Sequence, residues 1–110
     1  MQRFESIEVD ISKLRDYCLS ETHPRGRHKA RVFQSRLGLT ADNAEFLRQV
    51  LLAAVGENEA DFEAAVADEY GQRFNLDFPL KTDRGTAMLR SAWIVRTGEK
   101  VLRFASCYLM

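Results

Sequence analysis

The chain has 110 residues, 45% of them hydrophobic and 29% charged, and its formal net charge is zero. This length suits one domain with one core, and the composition is too hydrophobic for a disordered chain. No apolar run approaches the roughly 20 residues that cross a membrane. The first residues lack the apolar core of a secretory signal, so we expect a single cytoplasmic domain over residues 1–110.

The zero net charge hides an uneven distribution of charged residues along the sequence. Residues 23–36 carry one lysine and four arginines without a carboxylate, residues 42–69 are acidic apart from one arginine, and the last third is basic again. A neutral total argues against a general nucleic-acid coat, whereas a local basic site can still attract phosphate. Scattered solvated charges would explain the same pattern.

The N-terminal part predicts a short edge strand and then a helix. The strand is expected over residues 6–9, and Asp10 is a suitable N-cap for a helix that runs through Leu19. The dipeptide His23-Pro24 ends this helix, because the residue before a proline is pushed out of the helical region.

Two longer helices are predicted next. Apolar residues at helical spacing indicate a helix over about residues 26–37, with Gly38 as its C-terminal stop. Thr40 caps a third helix over roughly residues 41–55, which Gly56 is expected to end.

The acidic stretch and the C-terminal third complete the predicted elements. Phe62 and Val66 have an i, i+4 spacing that is compatible with a short helix in residues 57–68. From Tyr70 the apolar period changes to two, which predicts strands ending at Pro79 and covering residues 86–96 and 100–109. Short turns make these strands antiparallel, so we predict an α+β domain with N-terminal helices packed on a C-terminal antiparallel sheet of three to four strands.

The sequence offers little for a metal or a disulfide. Cys18 and Cys107 lie in different elements, and we favour a free buried pair over a disulfide. No Cys-x-x-Cys occurs, and the two histidines share one short segment, so a structural zinc site is not expected. The motifs of phosphate-binding loops, serine hydrolases and zinc proteases are absent as well, and we expect no metal or cofactor.

The segment His23-Pro24-Arg25-Gly26-Arg27-His28-Lys29 is the first candidate site. A helix start with a glycine before it and cations around it can bind phosphate through exposed N–H groups. The histidines titrate near neutrality, and neighbouring cations favour their neutral form. A solvated face of a basic amphipathic helix is the alternative interpretation.

The C-terminal strands supply two further candidates. Strand alternation places Arg90 and Trp93 on opposite faces of the sheet, with Trp93 in the core and Arg90 in need of a partner or a ligand. Tyr108 either packs with its hydroxyl at the rim or takes part in catalysis.

Histidine, lysine, arginine and tyrosine suffice for one reaction in particular, the cleavage of RNA by its own 2′-hydroxyl. That reaction needs a base, cations that stabilise the pentavalent phosphate, and an acid for the leaving oxygen. His28 or His23 could be the base, Lys29, Arg25 and Arg90 the cations, and Tyr108 a proton donor or a substrate-orienting group.

The same residues carry a resemblance to a family of small bacterial domains of unknown function. The shared pattern consists of Leu14–Leu19, the His-Pro-x-Gly-basic-x-Lys-Ala block at residues 23–30, Leu37–Thr40, Tyr70–Phe74, Asp77–Leu80, Arg90–Val95 and Cys107-Tyr108. Such domains occur alone and at the C-termini of polymorphic toxins, and their layout is similar to the barnase–EndoU–colicin–RelE ribonucleases. The resemblance implies Lys29, Arg90 and Tyr108 as catalytic residues, and many relatives have a simpler basic residue near His28.

Two hypotheses follow from the sequence. The first is a metal-independent endoribonuclease of the toxin type, with His28, Lys29, Arg90 and Tyr108 catalytic and His23, Arg25 and Arg27 binding RNA, and with an antitoxin or immunity protein as its partner. The alternative is a non-enzymatic binding module, such as the immunity half of a pair. The nuclease hypothesis requires that the cations of the second helix and of the terminal sheet converge.

Overall fold

A computed structural model describes residues 4–20, 22–57 and 62–110, and these residues form helices packed on one face of a five-stranded sheet. The helices are α1 (Ile11–Lys13), α2 (Arg27–Leu37) and α3 (Ala44–Glu57). A π-helical segment, Leu14–Cys18, continues α1, and a 3₁₀ turn, Ala41–Asn43, precedes α3. The strands are β1 (Ser6–Glu8), β2 (Glu63–Asp68), β3 (Gly71–Thr82), β4 (Gly85–Arg96) and β5 (Val101–Leu109).

The sheet is mixed and has the strand order β1-β5-β4-β3-β2. The β2–β3, β3–β4 and β4–β5 pairs are antiparallel, whereas β1 lies parallel to β5. The α+β class is therefore confirmed, but the expected sheet of three to four antiparallel strands behind N-terminal helices is wrong. The strand β1 precedes the helices and finds its partner at the far end of the chain, which local periodicity does not reveal.

The acidic stretch is a strand in the residues that the structure describes. Glu63–Asp68 forms β2, which pairs with β3 around an irregularity between Ala64 and Ala67, and residues 58–61 of the expected helix lie outside the described ranges. Phe62 is 7% exposed and Val66 is 63% exposed, so their i, i+4 spacing does not mark one buried helical face. The predicted helix is wrong for residues 63–68.

The start signal of α1 and the stop signal of α2 are confirmed, whereas the helix predicted through Leu19 is a short α-helix that continues as a π-helical segment to Cys18. The Asp10 side chain accepts a hydrogen bond from the Ser12 N–H at 2.9 Å and caps α1. Gly38 follows α2 in the left-handed conformation, at φ 71°, where a side chain would be strained. By contrast, α3 continues through Gly56 to Glu57, so the expected stop at Gly56 is wrong.

Pro79 does not close β3, which runs on to Thr82. Proline is tolerated in a strand where its missing N–H would face an open edge. The carbonyl of Met88, the β4 residue opposite Pro79, accepts from the Met110 N–H, so the backbone groups of Met88 point towards β5. Within the described residues, β2 pairs with β3 between Gly71 and Asn75, so none of the ladder hydrogen bonds described there involves Pro79.

The core lies between the helices and one face of the sheet. The alternating buried residues of β3, β4 and β5 meet the apolar stripes of α2 and α3, and Trp93 is 1% exposed, which confirms its predicted core position. The intervening strand residues lie on the opposite face, which we call the outer face. None of the helices in the described residues has the length and apolar character needed to cross a membrane.

Candidate functional site

Three adjacent strands bring Asp77, Arg90 and Tyr108 together on the outer face. The register pairs Asp77 with Arg90 across β3 and β4, and Arg90 with Tyr108 across β4 and β5. Their sequence neighbours Leu76, Leu89 and others point into the core. The period of two therefore fixes this polar row on the side of the sheet away from the core.

Arg90 is held by a bidentate ion pair with Asp77. Its Nε donates to Asp77 Oδ1 at 2.9 Å and its second terminal nitrogen donates to Oδ2 at 2.8 Å, with both side chains 33% exposed. The guanidinium hydrogen bonds lower the pKa of the Asp77 carboxyl, and the pairing with Asp77 and then with Tyr108 raises the pKa of Arg90. We predicted from the sequence that Arg90 needs a partner or a ligand, and the structure shows that this partner is Asp77.

Lys29 joins this row from helix α2. Its Nζ lies 4.8 Å from the centroid of the Tyr108 ring, within the range of a cation–π interaction. Lys29 is exposed and directly precedes the buried Ala30 of the helix. The structure therefore brings Lys29, Arg90 and Tyr108 into one cluster, which together with Asp77 we call the outer-face cluster.

The other candidates from the basic segment surround the start of α2. His23 accepts hydrogen bonds at Nδ1 from the N–H groups of Arg25 and Gly26, at 3.0 and 3.1 Å, and so shapes the turn before α2. Arg25, Arg27 and His28 are exposed around the start of α2. These two hydrogen bonds give His23 a structural role in the turn, which does not require that it bind RNA.

The turn before α2 packs closely against the π-helical segment. A Cβ on Gly26 would clash with the carbonyl oxygen of Tyr17, so only glycine fits there without a shift of the backbone. The rings of Tyr17 and His23 meet edge to face, with centroids 4.6 Å apart. This close approach fixes both rings beside β5.

A cleft of about 510 Å³ opens between these rings and the edge of β5. It is lined by Ser12, Lys13, Asp16, Tyr17, His23, Ala105 and Ser106. The register passes from Ala92–Ser106 to Trp93–Phe104, so Ala105 is the extra residue of a β-bulge at the cleft. Neither the bulge nor the cleft was foreseen from the sequence, since both depend on how the chain's first helical turns meet its last strand.

The two cysteines lie at the junction between the π-helical segment and β5. Both are buried and free in the structure. The hydrogen bond from Cys107 lowers the pKa of Cys18 to about 7, and the same contact together with burial raises the pKa of Cys107. The pair packs the π-helical segment against the strand that carries Tyr108.

We expect Asp77→Asn to lower stability at neutral pH and to have little effect in acid. The folded-state pKa of Asp77 is below its unfolded value, so its contribution is present above the unfolded pKa, near 4, and is lost as the pH falls through the folded pKa. Urea midpoints measured from pH 7 to pH 2 test this. Asp83→Asn, at the exposed turn between β3 and β4, removes the same charge and should show no such trend; equal curves would contradict the prediction.

Comparison with known proteins identifies a family and a fold. A family model described as "Domain of unknown function (DUF6883)" matches residues 1–110. A chain from a contact-dependent growth inhibition toxin–immunity protein complex of Klebsiella pneumoniae 342 superposes with a TM-score of 0.67 at 17% identity, covering 93% of this chain and 98% of that one. At this identity the likeness concerns the fold alone. No curated protein matches the sequence.

Proposed function

Because the chain belongs to the DUF6883 family of domains of unknown function, we propose a role for it from its geometry: a metal-independent endoribonuclease of the bacterial toxin type. A chain of the same fold occurs in a toxin–immunity complex, which fits a toxin-associated module. RNA as substrate would place its action in the cytoplasm.

The observation that carries the proposal is the convergence of Lys29, Arg90 and Tyr108. Two cations and a phenol from three separate elements meet on an exposed face. Attack of a 2′-hydroxyl on the adjacent phosphate creates a pentavalent centre with additional negative charge, which fixed cations stabilise more strongly than they stabilise the substrate. Lys29 and Arg90 would take this role without a metal.

The ion pair with Asp77 orients Arg90 without using all of its hydrogen-bond donors. A guanidinium has five N–H groups, of which Asp77 engages two, and Tyr108 lies next to Arg90 on the neighbouring strand. The remaining N–H groups can bind phosphate oxygens in a fixed orientation. Asp77 would therefore act as a positioning residue for Arg90.

Proton transfer would fall to His28 and Tyr108. His28 precedes Lys29 on α2 and is exposed, and its imidazole would accept the proton of the attacking 2′-hydroxyl. Tyr108 lies between Lys29 and Arg90, where its hydroxyl could donate to the leaving 5′-oxygen or orient the substrate. Arg25 and Arg27, exposed at the start of α2, would bind flanking phosphates and give the affinity a salt dependence.

A non-enzymatic binding module is the second candidate. The observation that favours it is the ion pair between Arg90 and Asp77, because Asp77 neutralises the charge of Arg90. Lys29 is then the unbalanced cation of the outer-face cluster. In that case the surface would bind a protein, as the partner or immunity half of a pair. In the enzymatic case an immunity protein would cover the same basic face.

Expression of the chain in a bacterial host, combined with cleavage of RNA by the purified protein, tests the proposal. We expect the wild-type chain to stop growth and to cleave RNA in the presence of EDTA. Lys29→Ala should lower cleavage by about 10²-fold, since it removes one stabilising cation. Arg31→Ala removes an exposed charge from the same helix and should stay within a few-fold of wild type. A harmless wild type that leaves RNA intact would contradict the proposal.

A further inference from the structure

We propose that the cleft between the π-helical segment and β5 binds a nucleobase. This inference rests on the proposed function and adds a base-binding subsite beside the phosphate-binding cluster. It concerns Tyr17, Asp16 and Ser106, to which the sequence assigned no role, and it gives His23 a more specific one.

The size and the walls of the cleft suit a planar ring. Its volume of about 510 Å³ is within the usual range of small-molecule sites. The Tyr17 and His23 rings form one wall, and their mutual angle of 73° holds each ring in place through the other. Single-stranded RNA is commonly bound by stacking of its bases on such side chains.

The polar groups of the cleft suit an uncharged ligand with both donors and acceptors. The Nδ1 atom of His23 already accepts two backbone hydrogen bonds, so the proton of the neutral ring is on Nε2, a fixed donor. Asp16, which is paired with the exposed Arg15, supplies acceptor oxygens, Ser106 supplies a hydroxyl, and the Ser12 hydroxyl, which donates to Asp10, can still accept. The lining carries one carboxylate, on Asp16, and one ammonium, on Lys13, which already donates to the Phe104 carbonyl, so its charges are balanced and the donors and acceptors at the edge of a base match it better than a phosphate does.

The cleft is joined to the outer-face cluster through β5. Ser106 pairs with Ala92 and Tyr108 with Arg90, so Ser106 and Tyr108 lie on the same face, two residues and roughly 7 Å apart. The Lys13 ammonium donates a hydrogen bond to the carbonyl of Phe104 at 3.1 Å. This carbonyl at the edge of β5 is therefore not free to pair with another strand. A nucleotide could place its base against Tyr17 and His23 and its phosphate at Lys29 and Arg90.

Calorimetric titration with nucleoside 3′-monophosphates, compared with ribose phosphate and inorganic phosphate, tests the subsite. We expect at least one base to raise affinity about tenfold or more over ribose phosphate, the scale of one stacked base. His23→Asn should abolish this difference while preserving the turn, because the Asn side-chain oxygen can accept the same two N–H bonds. Tyr17→Leu should do the same, whereas Lys81→Ala, exposed on β3, should not.

The outcomes separate the subsite from the proposed function. Equal affinity for ribose phosphate and for all four nucleotides, or unchanged base preference in both His23→Asn and Tyr17→Leu, would overturn the subsite even if the protein cleaves RNA. Base-dependent binding that these variants abolish, in a protein that cleaves no RNA, would support the subsite and reject the nuclease.

Discussion

Replacement of Arg90 by alanine is expected to lower RNA cleavage by about 10²–10³-fold, the usual effect of removing one donor that stabilises transition-state charge. The guanidinium is fixed by the two hydrogen bonds that it donates to Asp77 and lies beside Tyr108, so its free N–H groups are oriented before RNA binds. Because the side chain lies on the outer face and not in the core, the variant should fold. Single-turnover cleavage of RNA together with a thermal unfolding curve measures both effects.

Two variants make the result specific. Arg73→Ala removes another outer-face arginine that pairs with a carboxylate, Asp68, and should retain cleavage within a few-fold of wild type. Arg90→Lys keeps the charge but cannot bridge both oxygens of Asp77, so it should recover only part of the loss. Wild-type cleavage by Arg90→Ala would remove Arg90 from the mechanism, and an equal loss in Arg73→Ala would indicate a general charge effect.

Where the fold was predictable, the signals were local. The apolar spacing and the Gly38 stop predicted α2, and the alternation from Phe74 onward predicted a hairpin whose strands then fixed their own register. Each of these signals lies within a dozen residues, so it needs no knowledge of distant parts of the chain.

The errors arose where a distant partner decides the structure. The edge strand predicted over residues 6–9 is confirmed as β1, but its parallel pairing with β5 was not predicted. The strand β2 forms because the exposed edge of β3 accepts it, although its sequence Glu-Ala-Ala-Val-Ala-Asp is compatible with a helix. Pro79 remains within β3 because the backbone groups of Met88, opposite it on β4, point away towards β5 and need no N–H from Pro79. None of these conditions can be read from the residues themselves.

Some residues of the candidate site could also be predicted from local sequence signals, and others could not. Arg90 and Tyr108 could be recognised as polar residues of half-buried strands, and the structure brings Lys29 to them from α2. Asp77 could have been found by pairing the predicted hairpin across its turn, which places it opposite Arg90. The cleft could not have been predicted, because it is formed by a β-bulge at Ala105 and by a π-helical segment, and neither has a recognisable signal in the sequence.

The largest loss of stability is expected for Trp93→Ala. The indole is 1% exposed and contacts Phe104 and Phe62 edge to face, with centroid distances of 5.4 and 6.3 Å. Its removal should cost about 3–5 kcal/mol of unfolding free energy, since the cavity closes only in part. This is a large fraction of the roughly 5–15 kcal/mol that stabilises most domains. Urea unfolding followed by circular dichroism measures the loss.

A hydrogen-bond chain on the core side of the sheet, beneath the outer-face cluster, provides a second variant that should lose less unfolding free energy than Trp93→Ala. The Trp93 indole N–H donates to Ser91 Oγ at 2.8 Å, and Ser91 donates to the Leu76 carbonyl at 2.7 Å, with Ser91 fully buried. Ser91→Ala leaves the indole donor unsatisfied and should cost about 1–3 kcal/mol, less than Trp93→Ala. A urea midpoint of Trp93→Ala close to that of the wild type would show that the aromatic cluster is not the centre of the core. Because Arg90 lies between Leu89 and Ser91 on β4, a weakened core there should also reduce cleavage.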